Sequence, residues 1–174
     1  AAATLSHFYV VPLPDGTADA ATFERLAWQW SQGRFLDPLA HFPGPTTDFY
    51  PWLLSLLYAA TDRSLLMAQA TSVMAGVLGV FFAWRFAQEL WDERSARKVV
   101  WIMALFPTVV QYSALTMREA WVVLFFILGL ISIVRWARDG GLQPIATGIA
   151  WLVAAIFFHG GIFVVILVFL GLIV

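Results

Sequence analysis

Asp15 and Asp19, in the stretch PDGTADAATFERL, are the first residues of this sequence to consider for chemistry. A carboxylate within hydrogen-bond reach of a hydroxyl group can act as a general base. Each aspartate also suits a structural role. Asp15 lies in Pro-Asp-Gly, a strong turn signal, and Asp19 stands just ahead of a helical pattern, where it can cap backbone N–H groups. The residues alone leave both roles open.

Four further residues are candidates for binding a substrate: Asp48, Arg118, Glu119 and His159. Arg118 is the most informative, because a cation at a helix N-terminus opposes the helix dipole. Its guanidinium can bind a phosphate through two hydrogen bonds, and the alternative is a side chain that reaches lipid headgroups. Glu119 fits a capping box that begins at Thr116. Asp48 suits a second acid or a turn residue, and His159, before two glycines, suits a substrate ligand or an interfacial structural residue.

The composition places these residues in a membrane protein. Of the 174 residues 61% are hydrophobic, only 12% are charged, and the mean hydropathy is +0.80, more apolar than a soluble domain. A net charge of −1 gives no basis for binding nucleic acid. Without cysteine there is no disulfide and no thiolate metal site, and three scattered histidines do not predict a histidine metal site. Carboxylates can still bind a divalent cation, so a metal cofactor stays open.

The predicted fold class is all-α, a polytopic transmembrane helix bundle. Residues 1–12 are expected to be the end of a first transmembrane helix, and 13–64 an extracytoplasmic loop with interfacial helices. The bundle is expected over 65–174 and to be truncated at its C-terminus. Five apolar runs approach the length of a span, about 20 residues. They are 65–84, 99–115 with an expected kink at Pro107, 120–134, 145–158 and 162–174.

The basic residues predict the orientation of the bundle. Six of them lie in the connections after the first and third runs, which fall on one side and should be cytoplasmic: Arg85, Arg94, Arg97, Lys98, Arg135 and Arg138. The opposite side receives the segment 15–50, where five acids and two arginines give a net charge of −3. This side is therefore expected to be extracytoplasmic.

An amphipathic juxtamembrane helix is predicted in the first extracytoplasmic loop. Phe23, Leu26, Ala27 and Trp30 follow the helical spacing of one apolar face, and Gly33 stands where such a helix would end. A helix with this face and too short to span should lie along the membrane surface. It would hold Asp15 and Asp19 at the boundary between water and lipid.

The order of these motifs resembles the amino-terminal half of GT-C fold glycosyltransferases, the integral-membrane superfamily that includes protein mannosyltransferases and aminoarabinose transferases. An acid-bearing loop follows a first transmembrane segment, with the cadence Asp19-Ala20, Phe23, Ala27 and Gly33. The motifs FYPWLLSLLY, FAWRFAQELW, ALFPTVVQYSAL and TMREAWVVLFF follow in that order. Each motif is degenerate, and their order and predicted sidedness carry the resemblance across nearly the whole chain.

The resemblance implies an enzyme that takes a sugar from a polyprenyl-phosphate donor. Transfer to a glycan, lipid or protein acceptor would occur on the extracytoplasmic face of a bacterial inner membrane, with inversion at the anomeric carbon. An acid in the first outer loop serves the family as catalytic base or orients the acceptor, a role that falls on Asp19. Many members have a paired acid there, whereas three residues separate Asp15 from Asp19, so the choice between them stays open. Some members use a divalent cation.

The alternative is a transporter or lipid flippase without transferase activity. Transport through the bundle predicts ionisable groups near the middle of the membrane. In this sequence the ionisable residues lie mostly at the ends of the apolar runs. That distribution favours an enzyme that works at the membrane surface.

Overall fold

The computed structural model describes residues 13, 16, 18–164 and 167, and all regular secondary structure in this part of the chain is helical. The predicted all-α class is therefore confirmed. The bounds of seven α-helices are given for the described residues, and a short 3₁₀ helix, Asp37–His41, joins the first two of these. These are α1 (Asp19–Ser31), α2 (Phe49–Thr61), α3 (Leu65–Leu90), α4 (Glu93–Leu105), α5 (Pro107–Ala114), α6 (Glu119–Asp139) and α7 (Leu142–Phe158).

Two of the described helices, α3 and α6, are long and apolar enough to cross a membrane. Their 26 and 21 residues correspond to about 39 and 32 Å at 1.5 Å per residue. The helix α7 is apolar but has 17 residues. Most of the run predicted at 162–174, like the first run at 1–12, lies outside the described residues. The number of membrane crossings stays a prediction.

The run predicted at 99–115 divides into two helices where a kink was expected. The first, α4, ends at Leu105 and the second, α5, begins at Pro107. Phe106 between them is extended, with φ −67° and ψ 118°. A residue before proline is disfavoured in the helical region, because the proline ring clashes with its backbone. The proline therefore ends one helix and starts the next.

The helices pack so that the ends of α2, α3 and α6 meet. The helix α3 contacts α4, α5 and α6, and α6 also packs along α7. The helix α1 lies against α2. The largest group of buried apolar side chains joins these layers near one end of α3 and includes Phe23, Tyr50, Leu115, Met117 and Phe158.

The buried face of α1 differs from the predicted face. Ala20, Phe23, Glu24, Ala27 and Ser31 are buried, whereas Leu26 and Trp30 are only partly buried. The face of α1 that contacts α2 is therefore rotated relative to the predicted face, and it includes the acidic residue Glu24.

The predicted end of α1 is close to the observed one. The helix ends at Ser31, and Gly33 has φ +119°. A Cβ atom at Gly33 would lie 2.5 Å from Oδ2 of Asp37, the same oxygen that accepts a hydrogen bond from the Arg34 amide at 2.7 Å. Glycine is therefore favoured at this turn by its backbone conformation, and a larger residue would also displace the Asp37 carboxylate from this hydrogen bond.

Candidate functional site

Arg118 lies where three parts of the chain meet. It directly precedes α6, and its Nη1 donates to the Thr47 carbonyl at 3.4 Å, just before α2. Its guanidinium carbon lies 5.4 Å from the centre of the Phe23 ring on α1. The structure therefore brings Arg118 beside the segment that holds Asp48, and beside a helix face one turn after Asp19.

The Arg118 side chain is mostly withdrawn from solvent but is only partly satisfied. It is 11% exposed, and its Nε lies 3.6 Å from Oε1 of Glu119. Within the described part of the chain, this Nε has no hydrogen-bond partner. Glu119 is the first residue of α6, where a carboxylate is favoured by the helix dipole and offsets the unfavourable position of the arginine. A buried guanidinium with an unused donor is suited to binding an anion.

The predicted capping box from Thr116 to Glu119 is wrong. The helix α6 begins at Glu119, and its N-cap residue is Arg118 without a side-chain cap. Two hydrogen bonds accompany a non-helical turn before this start: the Met117 amide donates to the Leu115 carbonyl within the turn at 2.9 Å, and the Met117 carbonyl accepts from Ser72 of α3 at 3.1 Å. The amide and the carbonyl of Met117 therefore both form hydrogen bonds that do not belong to an α-helix.

Several buried polar atoms around this turn lack a partner among the described residues: Gln69 Oε1, Thr116 Oγ1, Arg118 Nε, Glu119 Oε2 and Trp121 Nε1. Four belong to the turn or the start of α6. Gln69 lies three residues before Ser72, on the face of α3 that contacts the turn. A buried polar group without a partner costs about 1–3 kcal/mol. Their concentration in one region is typical of a place where a polar ligand or ordered water binds.

A buried hydrogen-bond chain positions the turn. The Tyr50 hydroxyl on α2 is 2.9 Å from Ser72 Oγ on α3, and Ser72 in turn donates to the Met117 carbonyl at 3.1 Å. Burial raises the pKa of Tyr50 to about 12, although the hydrogen bond with Ser72 acts in the opposite direction. The phenol is therefore neutral near pH 7. It can hold the turn without adding a charge.

A small pocket opens beside Glu119. It has a volume of about 100 Å³ and lies between α3, α5 and α6, lined by Gly76, Gly79, Tyr112, Ser113, Glu119 and Val123 among others. Glu119 is the only ionisable acid among these lining residues. The pocket therefore presents one carboxylate against otherwise mostly apolar walls.

The structure describes only one of the two acids predicted for catalysis. Asp15 lies outside the described residues. Asp19 is exposed and is the first residue of α1, while the N-cap position belongs to Ala18, which has no capping side chain. The predicted capping role of Asp19 is therefore wrong, because the helix starts one residue earlier than that role requires. Its carboxylate stays accessible one turn before Phe23.

Asp48 and His159 lie at the same end of the fold. Asp48 precedes α2 without capping it through its side chain, and its amide donates to Thr46 Oγ1 at 3.3 Å. His159 is exposed at the end of α7 and continues the helix through its amide, which donates to the Ala155 carbonyl at 3.0 Å. Phe49 and Phe158, their direct neighbours in sequence, have ring centres 5.2 Å apart.

Glu24 and Arg63 form an ion pair that the sequence patterns did not reveal. Arg63 donates through Nε and Nη2 to the two Glu24 oxygens, at 2.9 and 2.8 Å, and the Tyr58 hydroxyl adds a third bond at 3.2 Å. The hydrogen bonds from Arg63 hold the pKa of Glu24 below its ordinary value, although burial opposes the shift. The available signal was an acid on the buried face of α1. The pair joins α1 to the connection between α2 and α3 and holds these two segments together.

No metal-binding group was found in the part of the chain that the structure describes, where no three acidic or histidine side chains are grouped for a metal ion. Carboxylate oxygens elsewhere in the chain can still bind a hard cation. A divalent cation therefore stays a prediction.

Comparisons with known proteins give no match: no family model fits the chain, and neither curated proteins nor solved structures show a significant similarity.

Proposed function

We propose that the chain belongs to a membrane glycosyltransferase that moves a sugar from a polyprenyl-phosphate donor to an acceptor on the extracytoplasmic face, with inversion. The observation that carries this proposal is Arg118, a largely buried guanidinium with an unused donor beside Glu119. A phosphate that links a lipid to a sugar is an anion of the kind that such a group binds.

The surroundings of Arg118 suit a phosphate in two further ways. The N-terminus of α6 adds partial positive charge at the same point. Glu119 neutralises only part of the guanidinium, because a single contact of 3.6 Å joins the two side chains. A donor phosphate that binds this guanidinium would not need to break the hydrogen bond from Nη1 to Thr47.

Asp19 is the proposed base or acceptor-orienting acid. Its carboxylate is exposed, so an acceptor hydroxyl can reach it. It stands one helical turn before Phe23, whose ring contacts Arg118. Asp15 remains the alternative candidate for this role because it lies four positions before Asp19 in the sequence. Asp48 and His159, at the same end of the fold, would contact the acceptor or the sugar.

The distribution of charge along the apolar helices supports a membrane protein, which we propose to be a polytopic bundle of a bacterial inner membrane. The apolar helices α3 and α6 have their ionisable residues near their ends: Arg85 and Glu89 on α3, and Glu119, Arg135, Arg138 and Asp139 on α6. The site around Arg118 lies at the end opposite to the basic cluster, which the positive-inside rule assigns to the cytoplasm. A donor lipid could then reach the site sideways from the outer leaflet.

The test uses the complete protein in its native host. Asp19→Asn, Asp15→Asn and Arg118→Gln would each replace the wild-type gene, with Arg25→Gln as a control because Arg25 is an exposed cation on α1. Cell-envelope glycans and lipid-linked sugars would be compared by mass spectrometry at equal membrane levels of each variant. We expect Arg118→Gln and one of the aspartate variants to lose a glycan modification, with accumulation of its lipid-linked donor.

Three outcomes would contradict the proposal. Identical glycans in all strains would remove the transferase function. Loss of a glycan in the Arg25→Gln strain as well would show that the effect comes from folding or surface charge. A defect in the distribution of a lipid between leaflets, with glycan transfer intact in isolated membranes, would favour the flippase alternative.

A further inference from the structure

A second cleft lies at the opposite end of the fold from Arg118. The helix α6 forms its floor, and α3 and α7, which flank α6, form its walls. Its volume is about 560 Å³, within the roughly 300–1,000 Å³ typical of small-molecule sites. The proposed glycosyl transfer does not use this cleft.

The cleft is amphipathic. One part is apolar, lined by Phe81, Phe82, Leu128, Ile131 and Trp151. The other part presents two arginines, one acid and three neutral polar residues: Arg85, Arg135, Asp139, Ser132, Gln143 and Thr147. Phe81 is 47% exposed and Trp151 is 36% exposed, so the apolar part opens to the surface of the bundle. A ligand that fills both parts must combine a polar head with an apolar chain.

The charges in this region leave a cationic surplus. Three arginines (Arg85, Arg135 and Arg138) face two acids (Glu89 and Asp139), which gives a net charge of +1. Glu89 is held by both Arg135 and Arg138, at 2.7 Å each, and Asp139 is held by Arg138 at 2.9 Å. Both acids are therefore already neutralised by arginines other than Arg85.

Arg85 and one nitrogen of Arg135 supply the unused donors. Arg85 is exposed, and among the described side chains it has no ion pair; its guanidinium carbon lies 6.0 Å from the ring centre of Trp84. Arg135 donates to Glu89 through Nε and Nη2. Its Nη1 has no hydrogen bond to any of the described residues. The start of α7, which also lines the cleft, has no acidic residue in its first turn.

We propose that this cleft binds an anionic phospholipid, with the phosphate at Arg85 and Arg135 and an acyl chain along the aromatic wall. Basic pockets between transmembrane helices on the cytoplasmic side bind anionic headgroups in this manner. The apolar wall favours a lipid over a free phosphate ion, because only the lipid has an acyl chain that can pack against that surface.

The first experiment measures lipid retention. The purified complete protein in detergent micelles would be mixed with phosphatidylglycerol or phosphatidylcholine, and the bound lipids counted by native mass spectrometry. Wild type should retain phosphatidylglycerol in preference. Arg85→Gln should weaken its binding about fivefold, the effect of one arginine near an anionic headgroup. Arg94→Gln should bind like wild type, since Arg94 is exposed at the same end of the bundle but does not line the cleft.

Three results would overturn the proposal. Arg85→Gln could bind like wild type, or Arg94→Gln could weaken binding as much as Arg85→Gln, which would indicate diffuse surface attraction. Alternatively, inorganic phosphate alone at millimolar concentration could displace the lipid completely, which would identify an ion site in which the apolar wall has no role.

A second measurement keeps the test independent of the folding of Arg85→Gln. Phosphatidylglycerol with brominated acyl chains quenches nearby tryptophans, and Trp151 lies in the apolar wall. Wild type should show a saturable quenched fraction that brominated phosphatidylcholine does not produce, and Trp151→Phe should lose that fraction. Equal quenching of wild type and Trp151→Phe by brominated phosphatidylglycerol would contradict the proposed location.

Discussion

The Glu24 carboxylate accepts two hydrogen bonds from the Arg63 guanidinium, at 2.9 and 2.8 Å, although 39 positions separate the two residues. The Glu24 side chain is 8% exposed, whereas that of Arg63 is 49% exposed. The pair thus has one desolvated partner and one that water still reaches. It joins α1, which carries Asp19 and Phe23, to the connection between α2 and α3.

Removal of Arg63 should destabilise the protein more than removal of an exposed arginine. Arg63→Gln leaves the Glu24 carboxylate buried with only the Tyr58 hydroxyl as a partner. We expect a loss of about 2 kcal/mol in the free energy of unfolding, as for hydrogen bonds to charged groups. Arg25→Gln, on the exposed side of α1, should cost about 0.5 kcal/mol or less.

The measurement is unfolding of the purified protein in mixed micelles with increasing denaturing detergent. The double variant with Glu24→Gln separates the ion pair from general effects. It should be less destabilised than the sum of the two single variants, because the second substitution removes the unpaired charge. Additive effects would mean that the pair contributes no coupling.

The stability from this pair should depend on pH. Hydrogen bonds from Arg63 lower the pKa of Glu24 from its ordinary value of 4.5, so the folded state holds this proton less tightly than the unfolded state. The contribution is therefore fully present above pH 4.5 and is lost as the pH falls through the lower, folded-state pKa. The difference in unfolding free energy between wild type and Glu24→Gln, followed from pH 7 to pH 3, should be constant at first and then shrink. A difference that grows on acidification would contradict this linkage.

The helices could be predicted from the sequence because their signals are local. Apolar runs locate α3 and α6, and Gly33 marks the end of α1 within two residues. The limits of the elements are less accurate. The predicted span from Leu65 ends at Trp84, but α3 continues to Leu90, where Glu89 binds Arg135 and Arg138 of α6. Hydropathy marks the apolar part of a helix and not the polar end that tertiary contacts support.

The local structure around the candidate site could be predicted only in part, because its geometry depends on contacts between distant residues. Arg118 stood out as a cation where a helix dipole disfavours it, and that reasoning holds for the observed start of α6. The capping box at Thr116 matched the local pattern and failed, since the hydrogen bond from Ser72 to Met117 spans 45 positions. The sequence contains no local signal for the pairing of Glu24 with Arg63 other than an acidic residue on the buried face of a helix.

The close approach of α3 and α5 requires glycine at position 76. A Cβ atom there would lie 2.6 Å from the Ser113 Cβ and closer still to Ser113 Oγ. Gly76→Ala should therefore destabilise by about 1–3 kcal/mol through overpacking, although alanine is the better helix former. Gly79→Ala, three residues further along α3, is the matched control because nothing lies within 4 Å of its added methyl group.

The same unfolding experiment checks this pair of glycines. Gly79→Ala should be neutral or slightly stabilising, and Ser113→Gly should recover part of the loss caused by Gly76→Ala. If Gly76→Ala and Gly79→Ala behaved alike, helix propensity and not packing against Ser113 would determine both effects.

Ser72 should contribute more to stability than Ser55, although both side chains are fully buried. The Ser72 hydroxyl links the Tyr50 hydroxyl at 2.9 Å to the Met117 carbonyl at 3.1 Å, so it connects three segments. The Ser55 hydroxyl donates only to the Trp52 carbonyl of its own helix, at 2.7 Å. Ser72→Ala leaves two buried groups, the Tyr50 hydroxyl and the Met117 carbonyl, without this partner. It should lower the free energy of unfolding by about 1–3 kcal/mol.

Ser55→Ala removes only a hydrogen bond within one helix, to a carbonyl that the helix backbone also uses. It should lower the free energy of unfolding by about 0.5 kcal/mol or less. Equal losses in the two variants would show that burial of the serine, and not the bridge to the turn before Arg118, determines the effect.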